Sequence, residues 1–220
     1  MDELRIYTAE ELPQGSPEWH KVRAGIPTAS EFSAVLAKGE GKTRASYMRR
    51  LAGEVITGEP GETYQSAEMA RGNAMEPVAR SVYAFMHDCD PQEVGFCRRG
   101  HVGCSPDSLI GDDGALEIKT KKPERLIDCI LADKFPAEHV AQCQGVLWVT
   151  GRKWIDLCAY WPGMPLFVKR AERDEDYIAR LEAEVRQFNI DLTNLVARIR
   201  AFDKSSAQRM ADVGELLRAG

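Results

Sequence analysis

Gly103-Cys-Ser-Pro-Asp-Ser-Leu-Ile-Gly-Asp-Asp-Gly-Ala-Leu-Glu-Ile-Lys119 is the stretch on which the reading of this chain turns. Within it Gly111-Asp-Asp-Gly114 is a strong turn signal. It predicts that an extended segment ending near Asp107 folds back beside a strand from Ala115 to Thr120. Strand side chains alternate, so Leu116 and Ile118 face one side while Glu117 and Lys119 share the other. Two carboxylates, Asp107 and Glu117, and the Lys119 ammonium can then converge on one small volume.

That grouping suits metal-assisted phosphodiester cleavage. Mg²⁺ is a hard ion held by one or two carboxylates, with waters and substrate phosphate completing its shell. Asp107 and Glu117 would supply the carboxylates, and the metal would polarise the phosphoryl oxygen and acidify the attacking water. Lys119 would orient that water or offset charge building on the phosphate. Glu-x-Lys alone is a common triplet, and a hairpin with a solvated Glu/Lys face accounts for it equally. The flanking sequence has to decide.

At 220 residues, 44% hydrophobic and 29% charged, the chain has the composition of a soluble globular protein with one substantial core. One domain over 1–220 is expected, its core spanning about residues 16–202 and residues 203–220 forming a tail. No apolar run reaches the ~18 residues of a membrane span, and the start MDELRIYTAEE lacks a signal-peptide pattern. A cytoplasmic protein with no membrane association is therefore expected. The six cysteines include no C-x-x-C pair and the four histidines are scattered, which gives a zinc site little support and favours reduced, mostly buried thiols. A net charge of −5 leaves no basic footprint, so any hold on DNA must be local or come from encirclement.

Upstream, Ser16-Pro-Glu-Trp-His-Lys-Val-Arg-Ala-Gly25 reads as a short helix with Ser16 at N-cap, Pro17 at N1 and Gly25 past its end. Thr28-Ala-Ser-Glu31 fits a capping box opening a second helix through Leu36. Arg23 then lies near a helix N-terminus whose N–H groups, with the Ser30 hydroxyl, could hold an anion. Alternatively Arg23 is a surface charge and Ser30 a helix-start residue. Lys38-Gly-Glu-Gly-Lys-Thr-Arg44 is a charged Gly-rich loop without P-loop spacing, followed by a helix to Thr57. Lys38, Lys42, Arg44, Arg49 and Arg50 could track a phosphate backbone or form a solvated face. From Ser66 to Met86 a helical pattern is interrupted by Pro77, which predicts a kink or two shorter helices. Glu76 lies on or beside its apolar stripe, where a carboxylate needs a metal, another cation, or a salt bridge to Arg71 or Arg80.

Downstream, Glu93 to Arg98 alternates as a strand, and Lys119-Thr-Lys-Lys122 adds charge where a phosphate backbone would pass. Pro136 opens a helix over His139 to Val149 that carries Gln142. Trp154 to Trp161 reads as a buried strand, with Leu166 to Lys169 pairing beside it. Ile178, Leu181, Val185, Phe188, Leu192, Leu195 and Ile199 recur every three or four residues, which predicts a C-terminal helix of about 25 residues.

Together, Ser-Pro-x-Trp-x-x-x-Arg-x-Gly…Thr-Ala-Ser-Glu, Arg-Gly…Glu, Cys-Ser-Pro-Asp…Leu-Glu-Ile-Lys and Ala-Gln-x-Gln…Trp-Val-Thr resemble the phage lambda exonuclease, or YqaJ-like viral recombinase, family. The likeness runs from about Ser16 to Tyr177. It implies a restriction-endonuclease-like α/β core with a central mixed sheet flanked by helices. It also implies a Mg²⁺-dependent 5′ to 3′ exonuclease on double-stranded DNA ends, with Mn²⁺ able to substitute. By the resemblance, Asp107, Glu117 and the Ile118 carbonyl match metal ligands, Lys119 the catalytic lysine and Glu76 the carboxylate of the preceding helix. Gln142 matches a glutamine near the active site, and Arg23, Ser30 and Ser105 residues that grip phosphate. Ser108 stands where the family often has glycine. The family further suggests a homotrimeric ring around DNA and a single-strand annealing protein as partner, in DNA recombination. An endonuclease on the same core and a non-catalytic DNA-binding module are the alternatives, and a metal-free glycosidase built on Asp107 and Glu117 is a remote third.

Overall fold

The hairpin predicted around Gly111 forms. In the computed structural model, which describes residues 3–37, 42–61 and 67–219, Ser108 pairs with Leu116, Leu109 with Ala115 and Ile110 with Gly114. The chain runs β1 (Leu4–Thr8), α1 (Pro17–Arg23), α2 (Phe32–Leu36), α3 (Lys42–Thr57), α4 (Ala67–His87), β2 (Val94–Arg99), β3 (Val102–Cys104), β4 (Ser108–Ile110) and β5 (Gly114–Thr120). It continues through α5 (Pro123–Ala132), α6 (Val140–Thr150), β6 (Trp154–Tyr160), β7 (Phe167–Glu172) and α7 (Glu175–Ala219), with 3-10 turns at Ala29–Glu31 and Ala137–His139.

Strands β4-β5-β6-β7 make a mixed sheet in which β5 and β6 are parallel. Parallel neighbours need a long crossover, and here it carries α5 and α6. Strands β1-β2-β3 form an antiparallel sheet, joined to the first by a bridge between Gln92 and Leu109.

Alternation along β5 sorts its side chains onto two faces. Leu116 and Ile118 pack with Cys158 against Ala79 and Tyr83 of α4. Ala115 points the other way, into the main core with Ile155, Leu157, Val146 of α6 and Phe188 of α7. Glu117, between Leu116 and Ile118, is thereby aimed at α6. This placement is the structural basis of the site.

Several expectations are corrected. Helix α4 runs unbroken from Ala67 through Pro77 to His87. One missing N–H costs less than the apolar anchoring of Ala79 and Tyr83, both buried against the sheet, provides. The capping box at residues 28–31 does not form. Thr28 makes no side-chain cap, its N–H donates to the Tyr47 hydroxyl at 3.1 Å, and Glu31 is drawn away by Arg50 at 3.0 Å. Helix α7 is 45 residues long, not about 25. Its buried stripe ends at Val196, and Ile199 is exposed. Strand β1 and helix α5 were not foreseen. β1 contributes only partly buried and exposed residues, and α5 buries Leu126 while Ile127, Ile130 and Leu131 stay exposed. Lys38 to Gly41 of the Gly-rich loop and Ser66 lie outside the described residues.

The other punctuation signals held. Ser16 accepts a hydrogen bond from the Trp19 N–H at 3.1 Å as N-cap of α1. Gly25 adopts φ +75° beyond it, a left-handed conformation that glycine tolerates, with its N–H donating to Glu54 at 2.8 Å. All six cysteines are free thiols, four of them buried. Among the described residues no helix is long and apolar enough to cross a membrane.

Candidate active site

Asp107 is tied to the strand on both sides of Glu117. Its N–H donates to the Leu116 carbonyl at 3.1 Å, and its Oδ2 accepts the Ile118 N–H. Glu117 Oε1 accepts from Lys119 Nζ at 2.7 Å and from Gln142 Nε2 at 2.5 Å. The expected strand face is therefore realised, and α6 adds its glutamine from across the sheet. Glu117 Oε2 is buried and receives no hydrogen bond.

The electrostatics follow from this crowding. Burial, then the charges of Glu117 and Glu76, hold the Asp107 carboxyl well above the usual carboxylate range. Burial works to lower the Lys119 pKa, but the Glu117 and Asp107 charges outweigh it and the ammonium is held all the more firmly. A buried bare carboxylate oxygen carries a substantial desolvation cost. With a second carboxylate beside it that resists ionising, the donor set fits a hard divalent cation.

Glu76 is placed differently from expectation. Its Oε1 is engaged by Arg80, one turn along α4. Of the readings open from the sequence, the salt bridge to Arg80 is the one realised. Burial, opposed by Arg80, leaves the Glu76 carboxyl raised. Among the described residues, no three His, Cys, Asp or Glu side chains stand close enough to hold an ion by themselves. Asp107 and Glu117 would have to be completed by a backbone oxygen, water or substrate.

The three phosphate-site candidates adjoin this centre. Arg23 Nη1 donates to Ser105 Oγ at 2.9 Å, and Trp19 Nε1 reaches the same oxygen at 3.2 Å. The guanidinium stacks over the Trp19 ring at 3.7 Å. Burial lowers the Arg23 pKa to about 10, which still leaves it cationic at neutral pH. Ser30 Oγ lies 3.4 Å from Thr28 Oγ1. Because a 3-10 turn replaces the expected helix start, and the Glu31 N–H is spent on the Thr28 carbonyl at 2.9 Å, side chains rather than a helix terminus make this pocket.

A cavity of about 200 Å³ unites the two groups. Arg23, Ser30 and Ser105 line it together with Asp107, Glu117 and Gln142. A larger cleft of about 970 Å³ shares Trp19, Arg23, Ser30 and Asp107 and extends past Glu76 to Tyr47 and Arg50. Sequence reasoning gave Trp19 only a motif role; its position three residues into a capped helix, four before Arg23, is the signal that one face carries both.

The basic stretches are largely paired within the chain. Arg44 bonds Asp191 at 2.8 Å, Arg50 bonds Glu31, Lys121 bonds Glu138 at 3.2 Å and Lys122 bonds Glu68 at 2.5 Å. His139, for which the sequence offered no role, has a buried Nε2 without a hydrogen-bond partner. Burial, then the charges of Lys119 and Lys121, push its imidazole down to about 4.

Solved structures share this arrangement of elements. The alkaline exonuclease LHK-Exo of Laribacter hongkongensis, solved also in complex with dAMP, is 31% identical, with a TM-score of 0.80 over 86% of this chain and 99% of its own. A phage-related exonuclease of Haemophilus somnus 129PT shares the fold at 12% identity, with a TM-score of 0.62 over 82% of this chain and 99% of its own. No curated protein sequence matches the chain. The core is the restriction-endonuclease-like α/β fold. The YqaJ-like viral recombinase domain matches residues 18–153, more than half of the 220. With its hairpin carboxylates, its strand lysine and its helix glutamine gathered at one cavity, the chain belongs to the YqaJ-like viral recombinase domain family.

Proposed function

We propose that the protein is a Mg²⁺-dependent exonuclease that degrades one strand of linear duplex DNA from its 5′ end, leaving 3′ single-stranded tails for recombination by strand annealing. The observation that carries this is the small cavity in which Arg23, Ser30 and Ser105 face Asp107, Glu117 and Gln142. One side offers a phosphate grip and the other a place for phosphodiester hydrolysis. A 31% identical alkaline exonuclease has been solved with dAMP, a nucleoside monophosphate of the kind such a reaction releases.

Asp107, Glu117 and the Ile118 carbonyl would hold the cation, with Glu76 on the facing helix as a further carboxylate. When bound there, Mg²⁺, or Mn²⁺ in its place, supplies Lewis-acid polarisation of the phosphodiester and lowers the pKa of water. Lys119 and Gln142 converge on Glu117 Oε1, 2.7 Å and 2.5 Å away, and are placed to orient a water against the phosphorus. Because the ammonium keeps its proton, Lys119 serves as a hydrogen-bond donor and fixed positive charge, not as a general base. Arg23 bonds two phosphate oxygens through its planar fork, anchored by Ser105 and the Trp19 ring. Hydrolysis that releases a 5′-mononucleotide creates a new 5′-phosphate on the next residue, so each turnover regenerates the ligand of that grip.

A protein of net charge −5 lacks the general electrostatic hold that DNA enzymes exploit. A homotrimeric ring around the duplex would replace it by topology, and a single-strand annealing protein would take up the exposed tail. The expected compartment is the cytoplasm.

End-labelled linear duplexes with 5′-phosphate or 5′-hydroxyl ends, and closed circular duplex, each with Mg²⁺ or chelator, test the proposal. Digestion of linear DNA only, faster from phosphorylated ends and abolished by chelator, is expected. Arg23→Ala should erase the preference mainly by slowing the phosphorylated substrate. Cleavage of the closed circle would make the protein an endonuclease, and binding without cleavage of any substrate would make it a DNA-binding module.

A further inference from the structure

Arg80 is 8% exposed, and each of its donor nitrogens is engaged. Nε donates to Ser108 Oγ at 2.9 Å, Nη1 to Glu93 Oε1 at 2.7 Å, and Nη2 to Glu76 Oε1 and, at 3.3 Å, to the Asp107 carbonyl. Three of those acceptors lie off α4. Glu93 precedes β2, Ser108 opens β4, and Ser108 is itself fully buried and donates to the Asp107 carbonyl at 2.6 Å. The guanidinium is therefore fixed by the sheet side of the molecule and presented to the helix. Glu76 is the member that leans on it.

The three carboxylates around the cleft share one pattern. Asp107 has Oδ2 bound by the Ile118 N–H, Glu117 has Oε1 bound by Lys119 and Gln142, and Glu76 has Oε1 bound by Arg80. No hydrogen bond from a described residue reaches the second oxygen of any of them. Glu76 stands among Glu93, Asp107 and Glu117, and like charges would drive an untethered carboxylate outward to solvent. A planar fork held at several points can resist that push; an ammonium on a flexible stem holds fewer acceptors in fixed directions.

We propose that Arg80 is a positioning residue, which fixes one Glu76 oxygen so that the other serves the divalent cation held by Asp107 and Glu117. This rests on the nuclease reading above. Ser108, a departure from the glycine often found after the aspartate, becomes part of the same support, because its hydroxyl anchors Nε.

Mn²⁺ affinity, measured without DNA from the electron paramagnetic resonance of the unbound ion, tests the proposal independently of turnover. Arg80→Gln should weaken Mn²⁺ binding by about 10–100-fold, the usual effect of removing a partner that orients a ligand. Arg80→Lys should recover only part of it. In a Glu76→Gln background, Arg80→Gln should change affinity by less than about twofold, because the arginine then has no ligand to orient. Unchanged affinity in folded Arg80→Gln overturns the proposal, as does tighter binding, which would make Arg80 a competitor for Glu76. The same loss with and without Glu76 also overturns it, since Arg80 would then act through the fold at large. Should Arg80→Gln fail to fold by circular dichroism, Ser108→Ala replaces it: a smaller loss of affinity supports the proposal and no loss sinks it. Wild-type protein that bound no Mn²⁺ would remove the nuclease reading and this inference together, whereas intact wild-type binding with an indifferent Arg80 removes the inference alone.

Discussion

Gly145 lies in the middle of α6, two turns of which carry Gln142 toward Glu117, and a single methyl there should reach the phosphate grip. A Cβ added to it would stand 2.4 Å and 2.7 Å from two ring atoms of Phe32 and 3.2 Å from the Ala29 Cβ. Optimal carbon contacts are about 3.5–4.0 Å, so the ring or the helix must shift by about 1 Å or more. Phe32 is fully buried and tilted against Trp148 with ring centroids 5.8 Å apart, so it has no open space to enter. Helix propensity favours alanine over glycine by about 1 kcal/mol. Overpacking costs about 1–3 kcal/mol, and so severe an approach belongs in the upper half of that range. The clash therefore wins, and Gly145→Ala should destabilise the protein by about 1–2 kcal/mol, lowering Tm by about 2–8 °C for a chain of this size. The displaced segment is the 3-10 turn Ala29–Glu31, which carries Ser30. Thermal melts should show the loss of stability. Competition between 5′-phosphate and 5′-hydroxyl ends should show preference declining more than the rate on hydroxyl ends. A Tm at or above wild type would mean that the interface has slack and propensity decides, which refutes the packing argument.

Other predictions concern the centre itself. Asp107→Ala and Glu117→Ala should abolish cleavage while keeping the fold by circular dichroism; retention of more than about a tenth of wild-type rate, a barrier change below about 1.4 kcal/mol, would mean the ligands are misassigned. Lys119→Ala should bind DNA and Mn²⁺ nearly as wild type yet turn over slowly, and a variant defective only in DNA affinity would make Lys119 a backbone contact. Asp107 has a folded-state pKa raised above its unfolded value of about 3.9, so its ionisation penalises the folded state increasingly as pH rises from there. In chelator, wild type should lose stability relative to Asp107→Asn as pH rises from about 4; parallel stability curves would contradict that assignment. Light scattering should give three times the 24.5 kDa chain mass, and a monomer that still digested DNA processively would exclude the ring.

Local signals made much of the molecule legible. The Gly111 turn and the period of two in Leu116-Glu-Ile-Lys119 put Glu117 and Lys119 on one face, and the ion pair at 2.7 Å follows from that period alone. Ser16, Pro17 and Gly25 bounded α1, and the apolar stripe from Ile178 to Leu192 marked α7, because capping and amphipathic spacing are properties of neighbours in sequence. Where tertiary partners compete for the same groups, local rules failed. Thr28 and Glu31 spell a capping box, yet Tyr47 and Arg50 claim their polar atoms, 19 residues away in each case. Pro77 spells a break, yet α4 stays whole because Ala79 and Tyr83 are buried against β5 and β6. Glu76 could be read as ligand or as salt-bridge partner, and only the fold brings Arg80, Glu93 and Ser108 together to decide. Gln142 shows the division most plainly: the sequence supplies its amide, but its 2.5 Å bond to Glu117, 25 residues away, exists only because alternation in β5 turns that carboxylate toward α6. Periodicity and capping act within a few residues and can be read along the chain, whereas charge pairing and catalytic geometry depend on which distant groups the packed core brings within hydrogen-bond reach.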